Sequence, residues 1–170
     1  MDSTRPEPVA DIPTMFGTKP ESVRLPWQWV QDRMLRSPLY WITTALPGGR
    51  PHSRPVWAVF VDDRLRFSTG SLASAHLDDG AAVSVQIQMP SGVTNDIVII
   101  EGTVTTVTDP PLIARICDDY NAKYRYNLVP DALPGPFHTV EPQKMFGWTS
   151  DDSGLDGGAA FQGSVTRWRF

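Results

Sequence analysis

Short strand-forming runs separated by turn residues restrict the fold of this chain more than any other feature. Between residues 39 and 70, β-branched and aromatic segments are divided by Gly48-Gly49 and Asp62-Asp63, which are typical of hairpin turns. No helix separates these strands in a βαβ order, so antiparallel pairing is predicted. Further strands are predicted over residues 81–89, 96–109, 137–149 and 164–170.

Hydrophobic periodicity predicts which strand faces are buried. Val83, Val85 and Ile87 alternate with polar residues, which is the pattern of a strand with one face against a core. The strand over residues 96–109 begins instead with a continuous apolar run. That run predicts a strand that is buried on both faces.

Two helices are predicted, each with an apolar face at helical spacing. The first has Pro26 near its first turn, where proline is tolerated, and ends at Pro38. The second starts at Asp109, whose side chain can cap free N–H groups ahead of two prolines. The apolar faces consist of Trp27, Val30 and Met34 in the first helix, and of Leu112, Ile116, Tyr120 and Tyr124 in the second.

Roughly seven strands with two or three helices predict an α+β fold, an antiparallel closed or nearly closed β-barrel with helical caps. A chain of 170 residues fits one domain. Residues 1–25 are rich in proline and charge and are predicted to form an extended arm, and residues 26–170 form the domain. The glycine-rich stretch at residues 150–163 is predicted to be a loop.

Charge and cysteine content exclude several function classes. The formal net charge is −4 without a basic block, so a nucleic-acid or anionic-membrane surface is not expected. Cys117 is the only cysteine, which excludes an internal disulfide and a multi-cysteine zinc site, and it is expected to be a small core residue. His52, His76 and His138 lack metal-ligand spacing and are expected to be structural or exposed. No apolar run is long enough to span a bilayer, and the expected location is the cytoplasm.

Arg50, His52 and Arg54 form a candidate anion site. At spacing two along a strand, their side chains project from one face of the sheet, and guanidinium groups bind phosphate through paired hydrogen bonds. A solvated strand end is the alternative explanation. Pro51 and Pro55 each remove a ladder donor, which places this strand at an edge or makes it irregular.

The next segment, FSTGSLASAHLDDG at residues 67–80, has the composition of a phosphate-binding turn but contains no lysine or arginine. A helix that starts near Ser71 would direct free N–H groups toward an anion, although a plain helix cap explains the same pattern. If the preceding strands form a hairpin, Arg54 lies close to this loop and supplies its cation. The hydroxyl groups of the loop belong to Thr69, Ser71 and Ser74.

The order of these elements resembles the pyridoxamine 5′-phosphate oxidase-like, FMN-binding split-barrel superfamily, which includes flavin and deazaflavin oxidoreductases. The resemblance runs over residues 39 to 170, through ITTALPGGRPHSRPVWAVFVDDRLRFSTG, VIIEGTVTTVTDPPLIARICDDYNAKY, FGWT and TRWRF. It implies a split β-barrel that forms a homodimer, with FMN or the deazaflavin coenzyme F-420 bound at the dimer interface.

The resemblance also implies which residues hold the cofactor. The phosphate is expected on an arginine of the second strand and on the loop after the third. The isoalloxazine ring is expected along the backbone that follows this arginine, with one side chain at the ring edge and two from the opposing subunit. The phosphate positions match Arg54, Thr69 and Ser71. The ring positions match Pro55, Val56, Trp57 and, at the ring edge, Gln88. The positions from the opposing subunit match Trp148 and Arg167.

The chain departs from the family in the phosphate loop. The family's usual helix start is Ser-Arg-Lys, whereas this sequence has Ser71-Leu72-Ala73, so both cations are absent. The absence of one charge-assisted phosphate interaction costs about 1.5–3 kcal/mol, so the absence of two weakens a phosphate-dependent cofactor many-fold. Either the ligand differs, or the site has decayed, or another cation compensates. The candidates for compensation are Arg50, His52 and Arg64.

Two functions follow from these observations. The first is an oxidoreductase in which FMN or F-420 passes hydride to or from a small organic substrate, while the protein supplies orientation and a water-poor pocket. The alternative is a non-catalytic split-barrel protein that binds a flavin, haem or another planar ligand for storage or sensing. The missing Arg-Lys pair favours the alternative.

Overall fold

The computed structural model describes residues 6–15, 17–19, 21–46, 48–70, 74–92, 94–133, 135–151 and 158–170. In these residues, nine strands form one antiparallel sheet that is flanked by three α-helices. In chain order, the elements are β1 (Val9–Asp11), α1 (Trp27–Arg36), β2 (Tyr40–Ala45), β3 (Pro51–Val56), β4 (Ala58–Val61), β5 (Arg64–Ser68), β6 (Ala82–Ser91), β7 (Thr94–Thr106), α2 (Pro110–Tyr124), β8 (Phe137–Asp151), α3 (Ala159–Ser164) and β9 (Thr166–Arg169).

The sheet is an open, split barrel. Its strands follow the order β1-β9-β8-β7-β6-β2-β3, and the β4–β5 hairpin joins them through the pairing of β5 with β8. The predicted antiparallel split barrel with flanking helices is therefore confirmed. The structure has more strands than the seven expected because the chain from 51 to 61 divides into β3 and β4, and because β1 adds an edge strand.

Both predicted hairpin turns are present. Asp62 and Asp63 connect β4 to β5 with φ angles of 51° and 56°, the left-handed conformation that a two-residue hairpin turn requires. Gly48 and Gly49 lie between β2 and β3 with φ angles of 84° and 79°. These turns fix the register of the two hairpins.

The inner face of the sheet forms the main core. Val83, Val85 and Ile87 of β6 point into it, as their alternation predicts. Strand β7 differs from the prediction, because only one of its faces is buried within the chain. Val98 and Ile100 are 1% exposed, whereas the residues between and beside them, including Ile97, are half-buried on the outer face.

Helices α1 and α2 confirm the predicted amphipathic faces. Trp27, Val30 and Met34 of α1 are buried against the barrel. At the start of α2, the side chain of Asp109 accepts a hydrogen bond from Leu112 N at 3.1 Å, which is the predicted cap. Among the described helices, none is long and apolar enough to cross a membrane. The buried residues of α2 are Ile116, Cys117 and Tyr120, and burial raises the pKa of the Cys117 thiol.

The stretch at residues 150–163, which was predicted to be a loop, leads into a short helix at its end. Helix α3 starts after Gly158, whose φ of 84° suits glycine, and residues 152–157 lie outside the described part. Within the N-terminal 25 residues, β1 pairs with β9 in the register Val9 to Arg169 and Asp11 to Arg167. The arm therefore adds a short edge strand to the sheet.

Candidate functional site

Strand β3 places Arg54 on the inner side of the sheet edge. Arg54 pairs with Ile42 and His52 pairs with Thr44, and these partners on β2 face the core. His52 and Arg54 therefore share a face, whereas Arg50 precedes the strand and is exposed. The side chain of Arg54 is half-buried, and this burial lowers the pKa of its guanidinium.

The candidate phosphate loop starts where β5 ends. Ser68 is the last strand residue, and its hydroxyl donates to Gly135 O at 3.2 Å. Thr69 follows and is half-buried, with its hydroxyl 3.4 Å from Gly70 O. The predicted contacts of Ser71, and the departure at residues 72 and 73, lie outside the described residues. The loop resumes as a 3-10 turn at Ser74–His76.

Arg64, one candidate to replace the missing loop cations, has partners of its own. It alternates with the core residue Leu65 along β5, so it points to the outer side of the barrel. There its Nε donates to Glu141 Oε2 at 2.7 Å and its Nη1 donates to Asp63 O at 2.9 Å. Since Arg54 lies on the inner side, these two guanidinium groups project from opposite faces of the sheet.

Cross-strand registers align four further predicted residues on the outer face. Pro55 pairs with Trp41, and the same row continues across β6, β7 and β8 to Arg167 on β9. Gln88 pairs with Ile97, which pairs in turn with Trp148. The intervening residues of the first row are Gln86, Ile99 and Phe146.

Six of the nine predicted residues thus fall into two groups within the chain. Arg54 and Thr69 belong to the inner edge and the loop that follows β5. The second group, on the outer face, consists of Pro55, Gln88, Trp148 and Arg167.

A cavity of about 540 Å³ opens on this outer face. Trp41 is 45% exposed and Leu39 is 39% exposed at its wall, beside the exposed amide of Gln88. This volume is within the range of small-molecule pockets, which combine apolar walls with a few polar groups. The lining consists of Ser37, Pro38, Leu39, Trp41, Gln86, Ile87, Gln88, Pro90, Asn95 and Ile97, none of which carries a formal charge.

Val56 and Trp57 lie where β3 ends and β4 begins. Val56 is buried, whereas Trp57 is 47% exposed. The indole of Trp57 stacks on Tyr124 of α2 with ring centroids 4.6 Å apart and planes 6° apart. The Trp57 carbonyl accepts a hydrogen bond from the hydroxyl of Tyr120. The backbone at this point is therefore held by helix α2.

A lysine amine that bonds two neutral oxygens lies beside this junction. Lys123 Nζ donates to the hydroxyl of Tyr40 at 2.7 Å and to Ala58 O at 3.0 Å. It also lies 4.7 Å from the centre of the Tyr40 ring and 5.4 Å from that of Tyr124. Burial lowers the pKa of Lys123 to about 8.

The two residues that were predicted to act from an opposing subunit have contacts within their own chain. Trp148 packs edge-on against Phe161 of α3, with ring centroids 5.6 Å apart. Arg167 forms paired hydrogen bonds with Asp11 of β1. Both residues are nevertheless only half-buried, so each keeps surface that another molecule can contact.

Sequence reasoning missed the residues that complete the outer face. Trp41, Gln86 and Ile97 line the cavity, and the alternation of exposed and buried residues along β2 and β6 could have indicated the first two. The outward direction of Ile97 could not be predicted, because this residue lies in a continuous apolar run without alternation. His138 was expected to be structural or exposed, and the structure buries it to 3% exposure.

Solved structures share this fold at low sequence identity. The conserved hypothetical protein Rv2991 from Mycobacterium tuberculosis is 17% identical, with a TM-score of 0.64 over 79% of this chain and 89% of that one. The FAD binding protein from Mycobacterium smegmatis is 18% identical, with a TM-score of 0.55 over 75% of this chain and 98% of that one. A heme binding protein from the same organism is 15% identical, with a TM-score of 0.57 over 84% and 62%.

No curated protein matches the chain significantly in sequence. The family model described as pyridoxamine 5′-phosphate oxidase matches residues 28–149, which cover most of the barrel from α1 to β8. The chain therefore belongs to the pyridoxamine 5′-phosphate oxidase family.

Proposed function

We propose that this protein binds FMN, or the deazaflavin coenzyme F-420, at the interface of a homodimer and transfers hydride to or from a small organic substrate. The observation that carries the proposal is the neutral, aromatic-walled cavity on the outer face, into which Gln88 projects beside Trp41. Apolar walls with a few amide groups suit a planar ring that needs hydrogen bonds at one edge.

The chain's own residues fit both ends of such a cofactor. Arg54, with Thr69 and Ser71, would hold the phosphate at the end of β5, since a guanidinium keeps its charge and binds phosphate through paired hydrogen bonds. The backbone from Pro55 to Trp57 would lie along the ring.

The bound ring supplies the hydride chemistry. The protein's part is to orient the ring, to exclude water with its apolar wall, and to donate amide hydrogen bonds from Gln88 and Gln86. None of these three roles requires an ionised side chain, which agrees with the neutral lining of the cavity.

A second copy of the chain would cover the outer face. Trp41 and Leu39 are large exposed apolar residues, and Ile97 and Ile99 are half-buried, so this face retains apolar surface in a single subunit. Covering it would exclude water from the cavity and would bring the partner's Trp148 close to the ring site.

A visible spectrum and a binding titration test the cofactor proposal. We expect the purified protein to carry a flavin or deazaflavin spectrum, or to bind added FMN or F-420 with saturable quenching of flavin fluorescence. Gln88→Ala should weaken binding about tenfold, which corresponds to about 1.4 kcal/mol. Gln28→Ala is the matched control, because Gln28 is exposed on α1 and bonds Asp32 of the same helix. Failure of the native chain to bind either cofactor contradicts the proposal.

Light scattering tests the dimer. The expected mass is twice that of the 18.8 kDa chain. Trp41→Arg places a charge in the covered face and should give the single-chain mass, whereas Val23→Arg, at a residue that is 74% exposed away from this face, should leave the dimer intact. A monomeric native protein would contradict the interface.

The non-catalytic alternative is favoured by one feature of the chain, the replacement of the family's Arg-Lys pair by Leu72 and Ala73. The same spectrum separates the two functions, because a haem gives an intense Soret band. A flavin that stays bound but is not reduced by any nicotinamide donor or re-oxidised by any organic acceptor would also support storage or sensing.

A further inference from the structure

His138 is a buried histidine that the proposed function does not use. It lies on β8, opposite Phe67 at the end of β5 and Thr106 at the end of β7. Its ring centroid is 5.5 Å from that of Phe67, a core residue, so the imidazole faces the inside of the barrel. The candidate phosphate loop leaves β5 two residues after Phe67.

Both ring nitrogens of His138 lack a hydrogen-bond partner among the described residues. The residue is 3% exposed, and neither Nδ1 nor Nε2 has a partner atom within hydrogen-bonding distance in that part of the chain. A buried polar group without a partner costs free energy, and such groups occur where a ligand or ion completes the site. An imidazole always offers at least one N–H donor for this purpose.

Two charged groups act on His138, one of each sign. The charge of Arg54 on β3 lowers the pKa of His138, and the charge of Asp79, in the segment after the 3-10 turn, raises it. Asp79 Oδ1 accepts a hydrogen bond from Thr106 N at 2.6 Å, which fixes this carboxylate to the end of β7. Phe67 and Thr106, the neighbours of His138 on β5 and β7, carry no charge.

We propose that His138 donates a hydrogen bond to the phosphate that Arg54 holds, and so compensates in part for the cations that residues 72 and 73 do not supply. This inference rests on the proposed phosphate site, and it names the residue that restores affinity there. It also explains why a polar side chain is buried at a strand position beside the core residues Phe67 and Phe137.

A pH dependence follows from the burial of this imidazole. Burial, together with the nearby Arg54, lowers the pKa of His138, while Asp79 acts in the opposite direction. Before phosphate binds, the imidazole is therefore neutral at neutral pH. A phosphate dianion raises the pKa of a neighbouring histidine, so binding takes up a proton, and affinity falls as pH rises.

Comparison of FMN with riboflavin tests the proposal, because riboflavin has the ring but not the phosphate. Between about pH 6.5 and 8.5 the flavin phosphate is mostly dianionic, so changes in the FMN preference over this range report on the protein. We expect the ratio of riboflavin Kd to FMN Kd to fall with rising pH in the native chain. In His138→Phe, which keeps an aromatic ring beside Phe67, this ratio should drop about tenfold and lose its pH dependence.

His138→Gln separates a binding role from a packing role. Glutamine donates an N–H but does not titrate in this range, so the variant should keep part of the FMN preference and lose its pH dependence. Riboflavin affinity should be unchanged in both variants. An FMN preference that survives unchanged in His138→Phe overturns the inference while leaving the ring site standing.

Inorganic phosphate gives a test that needs no flavin. The imidazole C–H resonances of His138, assigned by their loss in His138→Gln, should titrate at higher pH when phosphate is added. If the native chain binds neither flavin, the proposed function fails, and this titration alone decides the role of His138. Resonances that do not move with phosphate overturn it.

Discussion

Arg167 donates two hydrogen bonds to Asp11, from Nε to Oδ1 at 2.8 Å and from Nη2 to Oδ2 at 2.7 Å. The two residues are 156 positions apart in the chain, and they face each other in the β1–β9 register. The pairing lowers the pKa of Asp11 and raises that of Arg167. The N-terminal arm is therefore joined to the last strand by charge as well as by main-chain pairing.

The first prediction concerns this pair. Asp11→Asn should lower the free energy of unfolding by about 0.5–1 kcal/mol at pH 7, because the pair is partly exposed and solvent screens it. The pKa of Asp11 is lower in the folded chain than in the unfolded chain. The ion pair therefore contributes its full stabilisation above the ordinary pKa of 3.8, and this stabilisation is lost as pH falls through the lowered pKa of the folded chain. Urea unfolding at pH 7 and pH 3 measures this. Asp118→Asn, at an exposed position on α2, should show no such difference.

The second prediction concerns a buried ion pair between α1 and β7. Arg33 Nη2 lies 2.9 Å from Asp96 Oδ2, and the Asp96 side chain is only 4% exposed. Arg33→Ala should cost about 3 kcal/mol, since it leaves a buried carboxylate without its cation. Arg36→Ala is the control, because Arg36 bonds only a carbonyl of its own helix among its described contacts. Urea unfolding measures the free energy of unfolding of both variants. Equal decreases in the two would show that the Arg33–Asp96 pair adds no more stability than the exposed Arg36 does.

The third prediction concerns Gly102, at the irregularity between β7 and β8. A Cβ at this position would lie 2.1 Å from Glu141 O, which belongs to the backbone and cannot move aside. Gly102→Ala should therefore destabilise the fold by about 2–3 kcal/mol. Gly163 lies in α3 with open space around it, so Gly163→Ala should be neutral or stabilise by up to about 1 kcal/mol. Thermal unfolding of both variants checks the contrast.

The fourth prediction follows from the lowered pKa of Lys123, about 8 against an ordinary 10.5. Between these values the unfolded chain binds a proton that the folded chain has released, so the free energy of unfolding rises with pH. Relative to Lys123→Met, the native chain should gain about 1 kcal/mol between pH 7 and pH 9.5, after allowance for solvent screening. A constant difference between the two chains across this range would mean that Lys123 titrates normally.

The sequence predicts the barrel well because its signals are local. Asp62-Asp63 indicates a tight turn, and Asp109 before two prolines indicates a helix start. Apolar and polar residues alternate from Val83 to Ile87 within a single strand. Each pattern acts within a few residues, so no knowledge of the rest of the chain is needed.

The site was harder to predict because its residues meet only through strand pairing. Trp41, Gln88 and Ile97 lie on three strands and share a cavity only in the β2–β6–β7 register. The burial of His138 likewise depends on β5, which pairs with β8 from about 70 residues earlier in the chain. Short-range periodicity carries no information on such pairings.

The junction between β3 and β4 has a mechanical consequence. Ala58 N donates to the phenol oxygen of Tyr124 at 3.0 Å, and the same phenol donates to Ala58 O at 2.8 Å, so one side chain satisfies both backbone groups. Neighbouring strands elsewhere are joined by ladders of many main-chain bonds. Separation of helix α2 from this junction would remove the Tyr124 partner of both backbone groups and expose the apolar cluster between α2 and β4, so the helix and the junction are expected to move together.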